Sequence, residues 1–68
     1  MYNPTALKSF LDQWKPQTLP IRLTQVIYEF TEFIGQRVRV DTQYLSGVLK
    51  LYGFHVEKGV VTGTSEIS

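Results

Sequence analysis

The feature that most constrains this chain is a stripe. Leu23, Val26, Ile27, Phe30, Phe33 and Ile34 fall at offsets 0, 3, 4, 7, 10 and 11, the spacing of one face of an α-helix, and Gly35 follows as a stop. A helix with such a face must bury it, so the rest of the chain has to supply the cover. Only 68 residues are available. A chain of that length builds one core and buries roughly 60% of its unfolded surface. There is no cysteine, so no disulfide or thiolate-bound zinc can staple the fold and packing alone must hold it. A composition that is 43% hydrophobic and 19% charged is apolar enough for that core and too mixed for disorder. Gln25, Glu29 and Glu32 lie opposite the stripe as its wet side. Ile21 and Tyr28 share that side and are expected to make a second, smaller contact with a preceding helix.

The cover can be read in three pieces. Asn3 is suited to cap a first helix, with Pro4 at the first helical position and Tyr2 and Leu7 placed as a hydrophobic staple. Leu7, Phe10, Leu11 and Trp14 then form its buried face, and the proline-containing stretch 15–20 ends it. After Gly35, Arg37-Val38-Arg39-Val40 alternates at period two, which predicts a short strand with the valines inward. Asp41 caps a third helix, with Val40 and Leu45 as its staple and Leu45, Val48, Leu49 and Tyr52 as its buried face. Gly53 and Phe54 fit a Schellman ending in which Phe54 contacts Leu49. Residues 54–56, a turn at 57–59 and a return at 60–62 read as a hairpin. The polar stretch 63–68 reads as a flexible tail. The expectation is a single α+β domain over 1–68, with three helices, a short strand and a C-terminal β-hairpin. Within it, 1–19 is the first helix and connector, and 20–62 holds the rest of the ordered fold. Its core is expected to contain Leu7, Phe10, Leu11, Trp14, Leu23, Val26, Ile27, Phe30, Phe33, Ile34, Leu45, Val48, Leu49, Phe54 and Val56.

Several function classes are poorly supplied. Seven Lys plus Arg against six Asp plus Glu leave a net charge of +1, neither a strongly basic coat for nucleic acid nor an acidic mimic of it. No long apolar run is present, and 1–4 lacks a basic region leading into one, so neither a membrane span nor a signal peptide is expected. A cytoplasmic, or host-nucleoid, protein is. The single histidine, His55, stands on a strand without a cysteine or serine to work with, and nothing around it has metal-ligand spacing. Asp12, Glu29, Glu32, Asp41, Glu57 and Glu66 are each explained by a cap or a solvated face. Gly53, Gly59 and Gly63 are spaced for turns rather than for a phosphate cradle. No catalysis, metal or cofactor is expected.

The third helix carries the functional signal. Opposite its apolar face stand Thr42 at the N-terminal edge, Gln43, Ser46, Gly47 and Lys50, a short and uncharged or basic set without Asp or Glu. A helix lying in a major groove needs such a face: Gln can read adenine bidentately, Lys can reach guanine or phosphate, and glycine lets the backbone approach. Arg37, Arg39 and Lys58 would flank it as phosphate contacts. A plain solvated face explains the same residues. Two functions therefore stay open: a binder of double-stranded DNA, and a module that uses the same shape on a protein partner or in a homodimer. Tyr44 and Leu51, on the flank of this helix, are expected to seat the first helix rather than to form a dimer contact.

The stretch Ile27-Tyr28-Glu29-Phe30-Thr31-Glu32-Phe33-Ile34-Gly35, then Val38-Arg39-Val40-Asp41, then Leu45-Ser46-Gly47-Val48-Leu49-Lys50-Leu51-Tyr52-Gly53-Phe54 resembles a family. It is the winged-helix domain at the C-terminal end of phage and poxvirus-type primase-helicases, and the resemblance covers 23–62. It implies a winged-helix-like fold in which 42–52 corresponds to the recognition helix and 54–62 to the wing. It further implies DNA binding in replication or regulation by a phage, plasmid or other mobile element. This chain departs from the family's pattern in its wing, where a single lysine, Lys58, sits beside Glu57. It also departs in the short span 35–41, which leaves little room for a further helix.

Overall fold

The computed structural model describes residues 3–16 and 18–64. Three helices and three strands follow in the order α1 (Pro4–Gln13), β1 (Ile21–Arg22), α2 (Leu23–Ile34), α3 (Thr42–Leu51), β2 (Phe54–Glu57) and β3 (Val60–Thr64). The fold is a small α+β arrangement of three helices against a three-stranded antiparallel sheet of order β1-β3-β2.

The helix ends are set by local chemistry. The Asn3 side chain accepts the Thr5 N–H at 2.8 Å and Pro4 opens α1. Asp41 accepts the Gln43 N–H at 3.0 Å at the start of α3, with Val40 and Leu45 both buried as the staple requires. Gly35 ends α2 in the left-handed conformation at φ 71°, its N–H donating to the Thr31 carbonyl at 2.9 Å. Gly53, at φ 90°, does the same after α3, donating to Lys50 at 3.1 Å. The Tyr2 half of the proposed staple in α1 lies outside the described residues, as does 65–68 of the proposed tail.

Leu7, Phe10 and Leu11 from α1 with Trp14 at its C-cap, Leu23, Val26 and Phe30 from α2, Val40, Leu45 and Leu49 around α3, and Val56 and Val61 from the sheet form one buried cluster. Phe10 is its aromatic centre, with ring centroids 5.9 Å from Trp14, 5.5 Å from Phe30 and 5.5 Å from Phe33. The Phe54 ring, 5.3 Å from Trp14, ties the sheet to α1. Across the sheet, Val61 pairs with both Ile21 and Val56, so one apolar row faces the helices. Val61 was missing from the expected core because its short run, Val60-Val61, has no clear alternation.

Four expectations are corrected. Residues 37–40 form no strand. Val38 and Val40 do point inward, but the free edge of β3 is taken by Ile21–Arg22, and Leu23 extends that contact by donating to the Gly59 carbonyl at 3.0 Å. Period-two alternation reports which side chains of an extended chain face the core, and a strand also needs a partner edge. Ile21 therefore belongs to the sheet, and Tyr28 is 57% exposed instead of touching α1. Phe33 is 45% exposed, lying over Phe10 as a lid rather than inside the core. Tyr44 and Leu51 do not seat α1: they are 44% and 86% exposed. Tyr52 takes part of that role, its hydroxyl reaching the Lys8 carbonyl at 3.4 Å.

The hairpin turns on Lys58 and Gly59 alone, both with positive φ (53° and 76°), which is the type I′ geometry that matches strand twist. β3 continues through Gly63 and Thr64 rather than fraying there. A bulge between His55 and Val56 shifts its register, so that His55 faces Gly63 and Val56 faces Val61.

Candidate nucleic-acid interface

Between α3 and the hairpin tip lies an open hollow of about 290 Å³. Buried Leu23 and Val56 form its floor, Thr42, Gln43, Ser46 and Lys50 its helical wall, and Lys58 and Gly59 its far rim. Helical spacing explains the wall: Gln43, Ser46 and Lys50 follow at three and four residues, one face beside the buried Leu45 and Leu49. The far rim is positioned by the Lys58-Gly59 turn, which the bond from Leu23 to Gly59 draws against the start of α2. Five of the eight candidate residues are thus brought together around one hollow.

The electrostatics are simple. Two lysines face the hollow and no carboxylate lines it. Two carboxylates adjoin the lining in sequence: that of Asp41, engaged by the Gln43 N–H, and that of the exposed Glu57, next to Lys58 on the hairpin. Thr42 opens α3, where the Asp41 cap carboxylate offsets the partial positive charge of the first turn.

The other three candidates stand elsewhere. Gly47 is exposed on the outer face of α3, next to the hollow but outside its lining. Arg37 borders a separate hollow of about 320 Å³ with Tyr28, Glu32 and Gln36 at the C-terminal end of α2. Leu23 begins α2, so that helix separates the two hollows by about 17 Å of its length. Arg39 is exposed on the extended connection and lines neither. The apolar floor and Gly59 were not anticipated as parts of the site. A turn at 57–59 is legible in the sequence, but only the tertiary contact of Gly59 with Leu23 shows where the rim falls.

Glu29 also changes role. It is half-buried, and the Trp14 indole N–H donates to its carboxylate at 3.0 Å, so it joins α1 to α2 rather than contributing to an acidic outer face. The Tyr52 phenol is held above its usual range, first by desolvation and then by the nearby Asp12 carboxylate. Among the described residues no group of three or more His, Cys, Asp or Glu could hold a metal ion, and no helix is long and apolar enough to cross a membrane.

Among the described residues this is a small α+β domain of three helices and a three-stranded sheet, in which α3 and the β2–β3 hairpin flank an open hollow bordered by two lysines. Compared with protein-family models, with curated proteins and with solved structures, the chain matches none.

Proposed function

We propose that this chain is a small winged-helix-like module that binds double-stranded DNA, with α3 in the major groove and the hairpin as a wing on the adjacent backbone. The observation that carries this reading is the hollow. It gathers hydrogen-bonding side chains of α3 and the lysines of both α3 and the hairpin tip, with no carboxylate among its lining residues. In this reading Gln43 contacts a base edge, and Lys50 reaches guanine or phosphate. Lys58, at the rim, holds a backbone phosphate. Arg37 and Arg39 lie outside this contact. The activity is recognition rather than catalysis, as in a regulator or a replication-associated module of a mobile element.

Titration with short duplexes at two salt concentrations, followed by backbone amide shifts, tests this. Shifts concentrated at 42–50 and 57–60, weakening with salt, are the expected outcome. Shifts that stay absent with every duplex overturn the proposal. A second reading, a module for a protein partner or a homodimer, is favoured by the exposed Tyr44 and Leu51. Self-association mapped to those two residues would support it.

A further inference from the structure

Gly47 occupies the middle of α3, where glycine weakens a helix relative to alanine. No internal contact asks for it: a Cβ added there would meet nothing within 4 Å, and the residue does not have the positive φ that favours glycine elsewhere in the chain. Its neighbours three and four positions away are Gln43, Tyr44, Lys50 and Leu51, and all four are exposed. Gly47 is therefore the floor of a shallow dip on the outermost face of α3. Gln43 and Lys50 line the wing hollow on one side, and the apolar pair Tyr44 and Leu51 stands on the other.

We infer that this dip receives the major-groove edge of an A·T base pair, an inference that rests on the DNA-binding reading above. The missing side chain at Gly47 lets the helix backbone reach contact distance with the bases. Gln43 is then on the side to hydrogen-bond adenine, and the Tyr44 ring is on the side to cover the thymine methyl. A polyanionic duplex, rather than a second copy of the chain, is the occupant because the two lysines lie along the same side of the dip with no carboxylate in that hollow.

The test uses the full chain and three short duplexes: alternating A·T, the same sequence with deoxyuridine in place of thymidine, and G·C. Binding is followed by anisotropy. The A·T duplex should bind several-fold tighter than G·C. Removing the thymine methyls should weaken binding by about fourfold per methyl contacted. Tyr44→Ala should bind the thymidine and deoxyuridine duplexes equally, since the interaction between ring and methyl is what the comparison isolates. Gly47→Ala should melt about 4 °C higher yet bind more weakly. Gly47→Leu should lose at least about tenfold in affinity with its circular dichroism unchanged.

Equal binding of thymidine and deoxyuridine duplexes by the unsubstituted chain, with amide shifts at 42–50 retained, overturns this inference and leaves the DNA reading standing. Unimpaired binding by Gly47→Leu does the same. Failure of all three duplexes, with a monomer–dimer equilibrium abolished by Leu51→Ser, overturns both and makes the face a contact between copies.

Discussion

Phe30 shows how much rests on single side chains in so small a core. Its ring is fully buried in the middle of α2 and packs 5.5 Å from Phe10, so truncation leaves a cavity that neither helix can close. Phe30→Ala should cost about 3–5 kcal/mol, read from chemical denaturation, a large part of the stability of a domain this size. A midpoint within error of the parent would contradict the packing described. Lys58 illustrates the opposite trade. It is the one described non-glycine residue with positive φ, a conformation that costs a β-carbon-bearing residue about 1–2 kcal/mol and that asparagine tolerates better. Lys58→Asn should therefore raise stability by about 1 kcal/mol while lowering the magnitude of the logarithmic salt slope of duplex binding by about one unit. Higher stability with an unchanged slope would show that the lysine does not touch phosphate.

Among the elements, α1 is the one whose role its sequence states most plainly, because its four apolar residues recur at strict helical spacing and all are buried. Removing 1–15 takes away those four side chains and the Trp14–Glu29 hydrogen bond, and uncovers Phe30 and Phe54. The truncated chain should lose cooperative thermal unfolding by circular dichroism. A sharp transition at the parent temperature would make α1 an appendage. Midway along α1, Tyr52 reaches the Lys8 carbonyl, with Asp12 one turn on, and its raised phenol pKa has a definite sign. A group that holds its proton more tightly when folded contributes stability that is complete below its unfolded value near pH 10 and is lost as pH rises through the folded value. Melting temperature should fall in that alkaline range, and fall less in Tyr52→Phe. Strand β1 was the element least legible beforehand. Two residues after a proline look like the opening of the helical stripe, and only the exposed edge of β3 turns Ile21–Arg22 into a strand.

For the whole molecule, the distribution of charge matters more than its sum. The net charge is +1, yet Lys50 and Lys58 share one hollow while Arg37 shares another with Glu32. If Arg37, Arg39, Lys50 and Lys58 all neutralised phosphates, the logarithmic salt slope would be roughly −3.6; with the two lysines alone it should be about −1.8. Arg37→Ala should leave that slope unchanged and Lys50→Ala should reduce it. A slope near the steeper value, diminished by Arg37→Ala, would show the duplex reaching around α2. The polar face of α3 was readable as a candidate site because helical spacing alone puts Gln43, Ser46 and Lys50 together. The position of Arg37 was not readable, because its flanking segment has no ladder to fix its direction.

What the sequence determined by itself is whatever follows from near neighbours along the chain. That includes three helices with their caps at Asn3 and Asp41, the stops at Gly35 and Gly53, the inward valines at 38 and 40, and a hairpin turn within 57–59, which the structure narrows to Lys58-Gly59. Each is governed by periodicity, by a hydrogen bond closing within a few residues, or by a positive φ that glycine accommodates. What only the tertiary structure decided are the pairings between distant segments: β1 on β3, Trp14 on Glu29 and Phe54, and Lys58 across from Lys50. These depend on which surfaces remain open once the helices have packed, a competition among all the elements at once that no local spacing encodes.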